Sequence, residues 1–178
     1  MPSACAAKPV IYLYPEETTD ISVTLDWEKQ SLISIPSYDA GWHVTVTPDG
    51  QITNRDRVYP YLFWEDTISY NTPTTGFIVE QTGLSDFLNT KLSLLGLNDR
   101  ERADFKTYWL PVMQNSPYYR ISFITTEQMD ISAPITIIPK PDTIQRVFMD
   151  WSGLRKPIAI REQYITPFIR SRFSVIEW

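Results

Sequence analysis

The sequence predicts an α+β domain, mainly antiparallel β-sheet with an αα-hairpin inserted between strands, and three observations carry that reading. Short runs in which apolar and polar residues alternate recur along most of the chain. One stretch, residues 82–113, keeps a helical apolar period instead. Fourteen prolines against six glycines punctuate the remainder as rigid turns between short strands. With 178 residues, a hydrophobic fraction of 43% and an aromatic fraction of 13%, the chain can bury a core, and a single domain over residues 8–178 is expected behind a flexible, small-residue segment at 1–7.

Residues 8–15, KPVIYLYP, form an almost wholly apolar run, which suits a central strand buried on both faces. Its prolines are expected to forbid extension at either end. Ile21, Val23, Leu25 and Trp27 alternate with Ser22, Thr24 and Asp26, the period of a half-buried strand. Residues 32–35 add a short strand stopped by Pro36. Trp42, Val44 and Val46 then alternate with His43, Thr45 and Thr47, and the turn Pro48-Asp49-Gly50 leads into 51–54, the clearest hairpin in the chain. An aromatic strand at 59–64, interrupted early by Pro60, a polar loop at 71–75 and a strand at 76–79 precede the helices.

Leu84, Phe87, Leu88, Leu92 and Leu95 fall on one helical face, with Ser85, Asp86, Asn89, Thr90 and Ser93 on the other. Thr82 or Ser85 is the expected cap, and Gly96 supplies the left-handed residue that closes a helix, with Leu97 folding back apolar surface. Asn98 followed by Glu101 has the form of a capping box opening a second helix. Phe105, Tyr108, Trp109 and Val112 give that helix its apolar stripe, and Pro111 should end or kink it near Trp109. Beyond it, strands are expected around Tyr119, Ile121 and Phe123, at 135–138, at 144–151, at 157–160 after a turn at Ser152-Gly153, and around Phe173, Val175 and Trp178.

The formal net charge of −5, from 16 Lys plus Arg against 21 Asp plus Glu, argues against a nucleic-acid partner. Cys5 is the only cysteine, which excludes an internal disulfide, a cysteine zinc site and a CxxC redox pair. In its small-residue setting, the functional meaning left to Cys5 is a membrane lipid anchor. No apolar run is long enough for a transmembrane segment. Six scattered glycines compose neither a dinucleotide fingerprint nor a phosphate loop, and no cofactor is expected. His43 is the sole histidine, so Ser-His-Asp chemistry would have to use it. Its strand position turns it away from Trp42 and Val44 towards water, and no Gly-x-Ser-x-Gly or His-Glu-x-x-His spacing accompanies it.

Two functional readings follow. In the first, Tyr61, Trp64 and Tyr70 present a rigid aromatic platform beside Glu65, and the chain is a non-enzymatic binding or structural module for a protein or glycan partner. In the second, Glu65, with Asp66 or Glu80 as its partner, forms the carboxylate pair of a hydrolase acting on a glycan or related polymer. No catalytic residue or metal ligand is assigned.

The run at 8–15, Gly41-Trp42, Pro48-Asp49-Gly50, Tyr61-Leu62-Phe63-Trp64-Glu65, Trp109-Leu110-Pro111 and Arg146-Val147-Phe148-Met149 together make the chain resemble a family of uncharacterised bacterial proteins. The resemblance covers nearly the whole length. Such proteins open with the KPVIYLYP run and close with a sequence like Phe173-Ser174-Val175-Ile176-Glu177-Trp178. It implies an exported or cell-envelope location, with the cytoplasm as the alternative, and carries no activity or catalytic residue. Pro2 departs from the pattern, standing where a lipid-attachment signal has an apolar residue three before the cysteine.

Overall fold

A computed structural model describes residues 2–178, with side chains from residue 8 onward. Met1 and the thiol of Cys5 therefore lie outside the described parts. The architecture is α+β and mainly antiparallel. Where one domain was expected over residues 8–178, the chain forms two compact units: Met1–Asn71, Thr125–Arg146 and Arg170–Trp178 make the first, Thr72–Ile124 and Val147–Ile169 the second.

The first unit holds two sheets. In the six-stranded one, Val10–Tyr14 is central, antiparallel to Leu62–Asn71 on one side and to Ser174–Glu177 on the other, and Thr143–Arg146 runs parallel to Ser174–Glu177. Val10, Ile11, Tyr12 and Leu13 are all buried, as a continuous apolar run in a central strand requires. Ile33–Ile35 pairs with Leu62–Asn71 as well. So does Pro2–Ala7, from Pro2 opposite Asn71 to Ala7 opposite Asp66, which corrects the expected flexible segment at 1–7. Ala7 opposite Asp66 and Val10 opposite Phe63 share one antiparallel register, so residues 2–11 form one line beside the long strand. Pro9 interrupts that line without ending it, because its missing donor removes one bond while its carbonyl still accepts from Trp64 N–H at 3.2 Å.

The five-stranded sheet runs Ile135–Ile138, Thr19–Leu25, Trp42–Val46, Ile52–Asn54, Arg57–Tyr59, every junction antiparallel. Ile21, Val23, Leu25, Trp42, Val44 and Val46 are buried and His43 is exposed, following the period of two. Gly50 closes the expected turn at φ +82°, and a β-carbon there would stand 2.7 Å from Tyr14 Cε1. The helix Thr126–Ser132 was not anticipated. Its signal was present in Thr125 and Gln128, which form a complete capping box.

The second unit holds a four-stranded sheet ordered Phe148–Leu154, Tyr118–Ile124, Thr75–Glu80, Arg161–Glu162, the last pair parallel. The expected αα-hairpin is here as Leu84–Leu94 and Asp99–Val112. Leu84, Leu88, Leu92 and Leu95 are buried. The first helix starts from a 3₁₀ turn, Gln81–Gly83, with Gly83 at the cap and no side-chain cap, so neither Thr82 nor Ser85 has the expected role. Its C-terminus is as read: Leu97 N–H reaches Leu92 O and Gly96 N–H reaches Ser93 O, both at 3.0 Å, with Gly96 at φ +86°. Asn98 and Glu101 make the capping box. The second helix continues through Pro111 to Val112, because the proline removes one bond and Met113 N–H still closes on Trp109 O at 3.0 Å. Of its expected stripe Phe105 is fully buried, Trp109 half-buried, and Tyr108 and Val112 exposed.

Strand limits also differ: the expected strand at 144–151 is two strands, Thr143–Arg146 and Phe148–Leu154, in different sheets. Phe148–Leu154 continues through Ser152-Gly153, where the glycine serves close approach, since a β-carbon on Gly153 would meet Ser116 Oγ. Residues 157–160 are not a strand, and pairing begins only at Arg161–Glu162. Among the described residues no helix is long and apolar enough to cross a membrane.

Candidate functional site

The strand Leu62–Asn71 carries most of the residues singled out above, and its alternation sorts them. Leu62, Trp64, Asp66, Ile68 and Tyr70 turn to the buried side, while Phe63, Glu65, Thr67 and Ser69 turn the other way. Trp64 is 0% exposed; its Nε1 donates to Glu177 Oε1 at 2.8 Å, and its ring packs 4.6 Å from that of Trp27. Tyr70 is buried too, and Tyr61 is half-buried, edge-on to Tyr12 at 5.5 Å. Trp64 and Tyr70 of the expected platform are therefore core packing, with the indole N–H satisfied internally, and Tyr61 stays half-buried.

The carboxylates separate as well. Glu65 pairs with Lys8 Nζ at 3.0 Å. Asp66, on the opposite face, is 1% exposed and accepts from Thr67 N–H (2.8 Å), Ser31 N–H (3.0 Å), Gln30 N–H (3.2 Å) and Trp27 Nε1 (3.2 Å). Burial by itself would raise the Asp66 carboxyl, but these donors outweigh it and hold the group below the ordinary carboxylate range. A carboxylate so held stays ionised, and it has no proton to give as a general acid. Glu80 belongs to the other unit and is exposed at the end of Thr75–Glu80.

A buried ionic cluster lies behind Trp64. Arg146 and Glu177 are both 0% exposed and bonded through Nε and Oε2, while Arg146 Nη1 reaches Asp130 Oδ1 at 3.0 Å. Burial works against the charged guanidinium, yet the carboxylates of Glu177 and Asp130 raise its pKa above the ordinary value. With both principal charges sealed from water, this cluster is structural.

The first unit does present a polar groove, of about 510 Å³, among Pro36, Ser37, Asp39, Gly41, His43, Asn54, Arg55, Asp56, Arg57 and Tyr59. One wall is the loop after Ile33–Ile35, held by Trp42 Nε1 donating to Pro36 O at 2.8 Å and by Gly41 N–H to Tyr38 O at 2.8 Å. The other is the two-residue turn Arg55-Asp56, closed by the pair Asn54 and Arg57, in which Arg55 takes φ +57°. His43 stands between them. Its Nδ1 bonds Ser22 Oγ at 2.9 Å, and its Nε2 lies over Gly41, where a β-carbon would approach to 3.9 Å. Arg55 and Asp39 face each other at 3.8 Å, both largely exposed, an arrangement of little energetic consequence by itself. Among the described residues no cluster of three or more metal-ligating side chains exists.

The groove therefore offers two guanidinium groups, two carboxylates, an imidazole, an amide, a hydroxyl and the half-buried ring of Tyr59. Its formal charges cancel. Sequence reasoning had weighed His43 among these residues as a candidate for Ser-His-Asp chemistry, and the turn-rich stretch before Trp42 together with the turn after Ile52–Asn54 was the signal that brackets the rest.

No family model matches the chain, and no solved structure matches it significantly. An uncharacterised protein of Butyrivibrio fibrisolvens, in the bglA 3′ region, is 51% identical over 61 residues, which are 33% of this chain and 64% of that protein. The chain thus spans just under two thirds of the length of that relative.

Proposed function

We propose that the chain is a non-enzymatic binding module of the bacterial cell envelope that holds a neutral, hydroxyl-rich ligand, a glycan, in the groove at His43. The observation that carries this reading is the matched lining: Arg55 and Arg57 donate, Asp39 and Asp56 accept, and the charges cancel. A sugar hydroxyl is donor and acceptor at once, so it can satisfy both sets, whereas a charged ligand would meet repulsion from one of them. The Tyr59 ring adds the apolar surface that the face of a sugar ring needs. The envelope location rests on the resemblance of the KPVIYLYP run and the C-terminal strand to exported bacterial proteins.

The test is titration of the protein with soluble cellulose, xylan and chitin oligosaccharides, following the His43 imidazole signals by NMR while assaying release of new reducing ends. Binding at about 1 mM or tighter, weakened at least about ten-fold by Arg57→Ala, with no product release, is expected. Unmoved His43 signals at about 10 mM oligosaccharide would remove glycan binding at this groove. Release of reducing ends that vanishes in Asp39→Asn or Asp56→Asn would move the function to the hydrolase reading, on carboxylates other than Glu65.

A further inference from the structure

A second groove, of about 580 Å³, lies wholly within the second unit, among Gly76–Glu80, Phe87, Lys91, Ile158, Ala159, Ile160 and Glu162. Its floor is an incompletely paired strand. On one side Thr75–Glu80 is paired with Tyr118–Ile124 from Phe77 to Glu80, whereas on the other side Arg161–Glu162 covers only Thr75 and Gly76. Gly76 O accepts from Gln163 N–H at 3.3 Å, which fixes the direction in which Gly76 points. The period of two then sends the backbone N–H and C=O of Ile78, and the N–H of Glu80, to the same open side. Among the described residues no strand follows there, because Arg161–Glu162 ends after two residues.

The walls of this open edge are apolar. Phe77 and Phe87 meet edge-on at 5.2 Å, and Lys91 Nζ lies 4.3 Å over the Phe77 ring, which keeps that cation on an aromatic face. Ile158 is 47% exposed on the other wall. A donor and an acceptor on Ile78, followed by a donor two residues on at Glu80, are the complement of another extended backbone. The rim is acidic, with Glu80 at one end and Glu162 at the other, both exposed.

We infer that this edge takes an extended peptide from a protein partner by strand addition, continuing the two-residue pairing of Arg161–Glu162 past Gly76, with alternate apolar side chains against Phe77, Phe87 and Ile158 and basic residues at the ends facing Glu80 and Glu162. Main-chain hydrogen bonds to Ile78 and Glu80 provide the affinity, and the apolar walls select the alternation. The acidic rim selects the flanking charge.

The probe is a blocked peptide, Lys-Thr-Val-Thr-Val-Thr-Val-Lys, with a control of identical side chains that is N-methylated at alternate residues and so cannot donate along one edge. The full chain, labelled with ¹⁵N, is titrated with each. Shifts and slowed exchange centred on the Ile78 and Glu80 amides, with affinity at least about ten-fold lower for the methylated peptide, are expected. Replacing both peptide lysines by glutamate should weaken binding further. No shift at about 1 mM, equal binding of the two peptides, or shifts centred elsewhere overturns the inference. Because the protein is unchanged in these arms, a failure to fold cannot imitate a negative result, and the groove at His43 reports separately.

Discussion

Replacing Glu177 by glutamine keeps the shape of the side chain and removes its charge at the centre of the first unit. Glu177 and Arg146 are both 0% exposed, so the variant leaves a sealed guanidinium whose remaining carboxylate, Asp130, is 53% exposed. Removing one partner of a buried pair costs about 3–5 kcal/mol. The amide oxygen can still accept from the Trp64 indole, now 2.8 Å from the carboxylate, so the lower end, about 3 kcal/mol, is the expected loss. With a urea dependence of about 2 kcal/mol/M, the unfolding midpoint should fall by roughly 1.5 M. The companion Asp130→Asn changes a group that water reaches, and it should cost under about 1 kcal/mol. Equilibrium unfolding by tryptophan fluorescence measures both. A Glu177→Gln midpoint within about 0.3 M of the parent, or an Asp130→Asn loss larger than that of Glu177→Gln, would refute the reasoning, since either would mean that the buried pair is not what the fold depends on.

Leu88 is 0% exposed on the helix Leu84–Leu94, and Leu88→Ala should destabilise by about 2–5 kcal/mol, read as a lowered urea midpoint. Asp66 has a depressed folded pKa, so its contribution to stability is complete above the ordinary carboxylate value near 3.9 and disappears as pH falls through the lower folded value; Asp66→Asn should flatten the stability profile in that acid window and reduce stability at neutral pH. Deleting residues 1–7 strips the backbone partner of Asp66 to Asn71, and hydrogen exchange of the amides in that stretch should accelerate while those of Trp42–Val46 do not.

Much of this fold was legible because local chemistry and tertiary role agreed. Ile21, Val23 and Leu25 alternate because one side of their strand is dry; Gly96 and the Asn98 capping box act within a few residues of themselves. Trp64 was not legible, because an aromatic residue in an alternating run looks the same whether it faces solvent or core, and what decides it is Glu177, 113 residues away. The opposition of Glu65 and Asp66 was legible from their adjacency in a strand, which turns successive side chains to opposite faces. Residues 2–7 carry no periodic signal in their small side chains, so only the register with Leu62–Asn71 reveals them as a strand. The groove at His43 draws on loop residues between 36 and 59, whose polar composition is what any surface turn shows.

The placement of Ser174–Glu177 between Val10–Tyr14 and Thr143–Arg146, with Val10 and Trp178 exchanging backbone bonds of 2.7 and 3.1 Å, bears on how the protein is made. A ribosome delivers Val10–Tyr14 long before its inner neighbour Ser174–Glu177. Until Ser174–Glu177 has cleared the exit tunnel, the apolar flank of that early strand waits without its partner and stays open to mispairing or to a chaperone. The second unit is complete in sequence once Ile169 is made, so it can close on a nascent chain while the first cannot. Synthesis stopped between Ile169 and Ser174 would yield a chain with one unit finished and a gap in the other's main sheet.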